Sequence, residues 1–230
     1  MAIDVRPAVE ADLPTLTSIL LEAEAAHPIV ALPWADRAAA SEFFLQSFTS
    51  SLFHPLKHVL VATITGGDTA GYAIWQEAKD PAKSNPVFPE GTNTKVLQTW
   101  LSAQSAKAPY ELPGSAGVFN FRIFRRSRFV SSWLVSATSG SLTRFLDLTA
   151  LAVLPRYQGQ GVGLALVKSC TEQLDIKHLS CVVSSSVPGK RVYEKSGFNV
   201  LQELTTDYSK FEGGQHVTYI MRREAKKAAE

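Results

Sequence analysis

A glycine-rich turn between a strand and a helix is the strongest chemical signal in the sequence. Residues 158–163 read Gln-Gly-Gln-Gly-Val-Gly, with an apolar strand before them and an apolar helix after them. A helix N-terminus exposes unpaired amides and the positive end of the helix dipole. Glycine lets the backbone approach a bulky anion because it has no Cβ. The pattern predicts a pyrophosphate site, and a flexible turn that binds nothing remains the alternative.

The spacing of the glycines excludes two common nucleotide sites. A P-loop requires Gly-Lys-Ser/Thr at its end, and here Gly163 is followed by Leu164. A dinucleotide fingerprint, Gly-x-Gly-x-x-Gly, requires glycine at 164 when counted from Gly159, or at 166 when counted from Gly161. Both positions are leucine. The turn therefore matches neither kind of nucleotide site.

The elements that position this turn predict an α/β fold of the mixed (α+β) type. Strands are expected over 3–6, 58–64, 70–75, 145–153, 179–183, 198–204 and 217–221, and helices after Asp12, over 36–50 and 93–105, after Gly163, and over 190–195. Asp12 is expected to cap the first helix, with Pro14 in its first turn. Strand, glycine turn, helix and strand imply a parallel crossover, whereas the hairpins imply antiparallel pairing, so the sheet should be mixed and mostly antiparallel.

Between about 77 and 140 the periodicity weakens, and five prolines interrupt it. A segment of this length is read as an insertion that precedes the strand leading to the glycine turn. The length of 230 residues and the hydrophobic fraction of 45% suit one core. The chain is therefore expected to form a single domain over 1–230.

Two motifs resemble the GNAT superfamily of acyl-CoA-dependent N-acyltransferases. Residues 151–163, Leu-Ala-Val-Leu-Pro-Arg-Tyr-Gln-Gly-Gln-Gly-Val-Gly, are similar to the family's acetyl-CoA signature. The Ser-Val-Pro-Gly of 186–189, followed by Tyr-Glu-Lys-Ser-Gly-Phe at 193–198, resembles its Tyr-x-x-x-Gly-Phe segment. The resemblance is strong over about 145–200, moderate over 1–75 and absent over the insertion. The insertion and the form of the second motif resemble fungal members of the family.

This resemblance implies a GNAT-like sheet flanked by helices and an acetyl-CoA site. The amides of the glycine turn would hold the pyrophosphate, and the strand edge at 151–153 would pair with the pantetheine arm. The amide of Leu151 would stabilise the oxyanion that develops on the thioester. The implied cofactor-binding residues are Leu151, Ala152, Val153, Gln158, Gly159, Gln160, Gly161, Val162, Gly163, Ser186 and Lys190.

Tyr193 is, by the same resemblance, the candidate general acid. The leaving group is a thiolate, and a phenol within reach of the sulfur can protonate it. Without the motif, the simpler interpretation is a core tyrosine packed beside Phe198. The motif favours the catalytic role.

A base is needed because an alkylammonium has no lone pair for attack. Asp147 is the first candidate, since strict alternation along its strand places it on one face with Thr149 and Leu151. A carboxylate among apolar neighbours is costly unless it is partnered or used. A structural aspartate is the alternative, a bulge would break the alternation, and the family often removes this proton through ordered water.

The composition narrows the partners. The net charge of +2 does not favour a general nucleic-acid binder, which needs a basic excess. No signal peptide or membrane span is visible, so a cytoplasmic protein without a membrane partner is expected. The five histidines and two cysteines show no metal-ligand spacing, so no metal is predicted. The oligomeric state is not fixed by the sequence, and a homodimer is one outcome.

The function expected from these observations is an N-acetyltransferase that moves an acetyl group from acetyl-CoA to a primary amine of a small molecule, directly and in a ternary complex. Alternatives are a non-catalytic acyl-CoA sensor on the same fold, a protein N-acetyltransferase, and an interaction protein that uses the basic cluster Arg122, Arg125, Arg126 and Arg128. Trp75, Trp100 and Trp133 either line an acceptor pocket or pack in the core.

Overall fold

Seven strands form one sheet in the computed structural model, which describes residues 2–77, 88–105 and 145–224. The strands are β1 Ile3–Pro7, β2 Lys57–Ile64, β3 Thr69–Glu77, β4 Phe145–Val153, β5 Ser180–Ser186, β6 Asn199–Asp207 and β7 Gln215–Arg223. The helices are α1 Leu13–Ala23, α2 Pro28–Ala31, α3 Arg37–Leu52, α4 Thr94–Ser105, α5 Val162–Ile176 and α6 Lys190–Lys195. Most of the predicted insertion, with its arginine cluster and Trp133, lies outside the described residues.

The strand order is β1-β2-β3-β4-β5-β7-β6. Neighbours run antiparallel except β4 and β5, which are parallel and joined by the crossover through α5. The predicted mixed, mostly antiparallel sheet is therefore confirmed. The parallel pair follows from the glycine turn, because a helix of this length can carry the chain back to the starting edge of the sheet.

Helices cover both faces of the sheet, and each face has its own hydrophobic core. The α1-side core contains Leu13, Leu16, Ile19 and Phe48 from helices, packed on Val59, Val61, Tyr72, Ile74, Ala152 and Leu154. The α5-side core contains Val162, Leu166, Val167, Cys170 and Leu174 from α5, with Trp75, Leu148, Cys181, Val183, Tyr193 and Phe198 among its other members. Adjacent strand residues such as Val59 and Leu60 belong to different cores, as the alternation of a strand requires.

A β-bulge interrupts β4 at Thr149. Trp75 pairs with Leu148 and Ile74 pairs with Ala150, so Thr149 has no register partner on β3, although its hydroxyl donates to the Ile74 carbonyl at 3.2 Å. The extra residue moves the side chains that follow it to the other face. Leu148 therefore lies in the α5-side core and Ala150 against the α1-side core. The strict alternation that placed Asp147 with Thr149 and Leu151 is wrong, because it does not hold through this bulge.

The Tyr-x-x-x-Gly-Phe motif forms the end of α6. Gly197 has a φ of 85°, in the left-handed region. The Phe198 amide donates to the Tyr193 carbonyl at 3.0 Å, and the Gly197 amide donates to the Glu194 carbonyl at 3.1 Å. These two bonds define a Schellman C-cap, whose hydrophobic contact joins the rings of Phe198 and Tyr193, with centroids 5.6 Å apart. The motif thus fixes the position of Tyr193.

Two aspartates near the starts of helices have different roles. Asp36 caps α3, since its Oδ1 accepts from the Ala39 amide at 2.8 Å. Asp12 does not cap α1, and that prediction is wrong. Its carboxylate accepts from the Val9 amide and from both terminal nitrogens of Arg6, each at 2.8 Å. The ion pair with Arg6 lowers the pKa of Asp12 and holds the chain between β1 and α1.

Replacing Gly197 by alanine tests the cap. An L-residue in the left-handed region costs about 1–2 kcal/mol, so Gly197→Ala should lower the free energy of unfolding by about that amount. The matched control is Gly163→Ala, within α5, where an added Cβ meets neighbours only at ordinary contact distances of 3.7 Å or more. Urea unfolding should show the loss for Gly197→Ala alone, and equal stability of the two variants would contradict the cap.

Candidate active site

The C-terminal ends of α1, β4 and β5 lie at one edge of the sheet. β1 to β4 alternate in direction, β5 runs parallel to β4, and α1 returns antiparallel to β1. A contact confirms this placement of α1, because Glu22 Oε1 lies 3.8 Å from Nη1 of Arg156, in the turn after β4. The glycine turn leaves from the same edge. Groups from both faces can therefore meet there.

β4 and β5 separate at this edge. Their parallel pairing covers Phe145–Leu148 of β4 and Ser180–Val183 of β5 and ends there. From Ser184 to Ser186, β5 pairs with β7 alone. The bulge in β4 comes directly after the last parallel pair, and a bulge bends the strand that carries it. The result is an opening between 149–153 and 184–186.

The main chain of Leu151 and Val153 faces this opening. The Leu154 amide donates to the Ala70 carbonyl of the β3 side at 2.9 Å. Because successive residues of a strand direct their amides to opposite sides, Ala152 bonds towards β3, whereas Val153 and Leu151 point away from it. The Val153 carbonyl accepts from Gln158 Nε2 at 2.9 Å. Leu151 is thus placed as an amide donor into the opening, and Ala152 is not.

Residues 158–161 of the glycine turn are exposed, and within the described part of the chain no side chain accepts a hydrogen bond from the amides of the turn. Gly159 and Gly161 have φ of 72° and 92°, and Gly161 precedes α5 without a side-chain cap. Space around Gly159 is empty within 4 Å of an added Cβ. The side chains of Gln158 and Gln160 turn back to the chain, the latter donating to the Arg156 carbonyl at 2.7 Å. The first amides of α5 are left free for an anion.

Tyr193 stands on the other side of the opening, on α6 and next to β5. It is 4% exposed and belongs to the α5-side core. Burial raises the pKa of its hydroxyl, with smaller contributions from Cys181 and Glu24. The phenol is therefore protonated at neutral pH, as a proton donor must be.

The remaining predicted residues have defined positions. Ser186 is the last residue of β5, and Lys190 begins α6, where its Nζ lies 3.5 Å from Glu194 Oε1 and 4.7 Å from the ring centre of Tyr219. Asp147 pairs through its backbone with Gln76 and Val182, in the closed part of the sheet. For Trp75, the two alternatives are an acceptor pocket and the core. The core position is confirmed, because Trp75 is 0% exposed.

Three further residues lie at this edge and are not predicted by any sequence motif. Glu24 follows α1, and burial raises the pKa of its carboxyl. His27 contacts His216 of β7 with ring centroids 4.4 Å apart. Burial, and secondarily His216, lowers the pKa of His27 to about 4, and burial also lowers that of His216. No motif marks these residues, because they come together only through the tertiary fold.

A model of the acetyltransferase (GNAT) domain matches residues 90–222, which is more than half of the chain. The chain belongs to the GNAT family of acetyltransferases. The resemblance drawn from its two motifs is thereby confirmed, as is its assignment as an acyl-CoA-dependent N-acyltransferase. Among curated proteins, no sequence matches the chain.

Solved GNAT structures share the fold. A protein of Corynebacterium glutamicum ATCC 13032 described as histone acetyltransferase HPA2 and related acetyltransferase aligns with a TM-score of 0.60 at 18% identity, over 100% of both chains. The ribosomal-protein-S18-alanine N-acetyltransferase of Escherichia coli aligns with a TM-score of 0.54 at 18% identity, over 100% of this chain and 97% of that chain. The protein yncA of Salmonella typhimurium, solved with its cofactor acetyl-CoA, aligns with a TM-score of 0.52 at 15% identity. The alignment covers 100% of this chain and 98% of that chain.

The residues present suit acetyl-CoA, the donor expected for a GNAT acetyltransferase. The amides at the start of α5 can bind its pyrophosphate, whereas the Gln158 amide already donates to the Pro155 carbonyl at 3.2 Å. The unpaired strand edge at Leu151 and Val153 can pair with its amide-containing arm. In the described residues, no helix is long and apolar enough to cross a membrane. The same part of the chain holds no group of three histidine, cysteine or acidic residues arranged to bind a metal ion.

Alanine at Gly161 tests the anion site of this GNAT domain. A side chain at a φ of 92° is strained, and relaxation to negative φ would turn the following amides away. We expect Gly161→Ala to raise the Kd for acetyl-CoA about tenfold, which corresponds to about 1.4 kcal/mol, as measured by calorimetry. Gly214→Ala is the control, since Gly214 also has positive φ, at 63°, but lies in the β6–β7 turn. Equal affinities of the two variants would contradict the assignment.

Proposed function

We propose that this protein transfers an acetyl group from acetyl-CoA to the primary amine of a small molecule, directly and within a ternary complex. The observation that carries the proposal is the opening between β4 and β5. It has the exposed glycine turn at one end, the outward amide of Leu151 on one wall and Tyr193 on the other. The pyrophosphate, the thioester and the leaving group of acetyl-CoA would each meet a group of suitable chemistry there.

The two walls divide the work of acyl transfer. The Leu151 amide can donate to the thioester oxygen as negative charge develops there, which is the role of an oxyanion hole. Tyr193 can give its proton to the departing sulfur. For the acceptor's proton, Asp147 remains the residue predicted from the sequence.

Direct transfer is favoured over a covalent acyl-enzyme. Both cysteines are buried thiols in the α5-side core that form no disulfide with each other, and Cys181 is 0% exposed. Burial also raises the pKa of the Cys170 thiol, which lowers the fraction of reactive thiolate. An acyl group held in the opening therefore meets the amine and not a cysteine nucleophile.

Contacts at the site's edge favour a small acceptor over a protein. The segment after α1 touches β7 through His27 and His216. The end of α2 packs on the β6–β7 turn, where an added Cβ on Gly213 would lie within 2.5 Å of Leu32 Cδ1. These contacts join the segment after α1 to β7 and to the β6–β7 turn beside the site, and a small acceptor needs less open surface there than an extended peptide. Cytoplasmic location and a homodimer stay predictions.

A panel of amines tests the proposed reaction. Acetyl-CoA is mixed with aliphatic, aromatic and amino-acid amines and with peptides bearing free N-termini or lysines, and release of the CoA thiol is followed colorimetrically. We expect turnover of at least one small amine. Tight acetyl-CoA binding without turnover of any acceptor would support the sensor alternative, and turnover of peptides alone would support a protein acetyltransferase.

Tyr193→Phe isolates the acid. The ring and its contact with Phe198 stay in place while the transferable proton is lost, so kcat should fall by about 10²-fold or more. The Kd for acetyl-CoA should change less than twofold, by calorimetry. Tyr208→Phe is the control, since it removes a buried hydroxyl that has no partner among the described residues. A Tyr193→Phe enzyme with wild-type kcat would rule out the acid role.

A further inference from the structure

A carboxylate stands at the end of α1 on a fixed backbone. Glu24 directly follows the helix, and its amide donates to the Leu20 carbonyl at 2.9 Å. Its own carbonyl accepts from the His27 amide at 2.8 Å. The side chain is half-buried. The residue therefore has a defined position although it lies between two helices.

This position is at the edge where β4 and β5 separate. The neighbouring Ala23 packs against the α1-side core, as does Ala150, the first residue after the bulge. Two residues before Glu24, Glu22 reaches Arg156 in the turn that follows β4. The end of α1 is thus anchored beside β4 and the turn that follows it, just before Glu24.

Glu24 acts electrostatically on two tyrosines that belong to opposite faces of the sheet. Its charge contributes to raising the pKa of Tyr72, in the α1-side core, and of Tyr193, in the α5-side core. In both cases burial is the larger cause. Charge interactions weaken with distance and with intervening water. The Glu24 carboxylate is therefore within electrostatic range of one phenol on each face of the sheet.

We propose that Glu24 accepts the proton of the acceptor ammonium and holds the amine beside the thioester. This inference rests on the proposed acetyl transfer. Asp147 is less well placed, because its backbone pairs with β5 at Val182, in the part of the sheet that is still closed. Glu24 lies at the open edge instead.

The proton balance can be followed through the residues. Glu24 takes one proton from the ammonium, and the freed lone pair forms the C–N bond to the acetyl carbon. The C–S bond breaks, and Tyr193 protonates the departing sulfur. The second proton lost by nitrogen replaces the one that Tyr193 gave, and Glu24 releases its proton to solvent. The sum is amide, free thiol and one proton.

The surroundings leave Glu24 as the charged group. Tyr72 from β3 and Tyr193 from α6 are neutral phenols. His27 on the same loop and His216 on β7 are kept neutral by burial. Within the described ranges, no ion pair neutralises Glu24. Burial raises its pKa towards neutrality, where a base works best.

The pH profile of kcat/KM tests the assignment with the panel amine that is turned over fastest. In the wild type it should be flat between the pKa of Glu24 and that of the amine, and should fall below the former. Glu24→Gln can use only the free amine, so its rate at pH 7 should drop about 10²–10⁴-fold. That rate should then rise tenfold per pH unit towards the amine's pKa.

The controls separate Glu24 from its alternatives. Exposed Glu10→Gln should keep the wild-type profile, and Glu24→Gln should bind acetyl-CoA with unchanged Kd. A wild-type profile for Glu24→Gln, or the tenfold rise in Asp147→Asn instead, would overturn the proposal.

A carboxyl ¹³C titration of the wild-type protein with acetyl-CoA needs neither a folded variant nor turnover. Glu24 should titrate above the ordinary range of a glutamate, because burial raises its pKa, and titration within that ordinary range would also overturn the proposal. If no amine is acetylated while Glu24 titrates as expected, the proposed function fails, whereas the raised pKa of the Glu24 carboxyl stands.

Discussion

The bulge at Thr149 is the constraint on which the site depends. It coincides with the end of pairing between β4 and β5. The two strands are therefore paired on the N-terminal side of the bulge and separated on its C-terminal side. A paired strand would use the amides of Leu151 and Val153. Because the pairing stops, those amides are available for a ligand. Unpaired strand amides readily donate hydrogen bonds to an extended partner. The opening thus supplies both the space and the hydrogen bonds.

Groups from both faces reach this opening because of chain direction. The end of α1, the glycine turn and the start of α6 all lie at the edge where β4 and β5 end. Tyr193 approaches from the α5-side core, and Glu24 approaches from the α1 side. In a closed sheet the strands would separate them. A two-sided cleft allows the proposed base to act on the acceptor ammonium and the proposed acid on the departing sulfur without neutralising each other.

Local patterns predicted much of this arrangement. The bounds of β4 and α6 could be read from the sequence, and the motif around Tyr193 is explained by its Schellman cap, which is a local device. The bulge could not be read, because the run Ala-Leu-Ala-Val at 150–153 is apolar at every position and fits either face. A spacing of three between Leu148 and Leu151 was the available sign. The prediction of Asp147 as the base depends on an alternation that this spacing breaks.

Glu24 could not be predicted for a different reason. It follows a helix with no glycine or proline to mark the end, and its partners are distant in sequence. The same holds for Arg6 and Asp12, where an ion pair replaced the expected helix cap. Carboxylates at helix ends have several competing uses, and only tertiary contacts decide among them.

Residue-resolved amide hydrogen exchange with and without acetyl-CoA tests the central claim most directly. The opening predicts slower exchange at Leu151, Val153 and the first amides of α5, over 162–164, when the ligand is bound. Ala150 and Ala152 should not change, because their amides already bond to β3. Protection elsewhere on the protein, with exchange at Leu151 and Val153 unaltered, would show that the ligand does not occupy the space between β4 and β5.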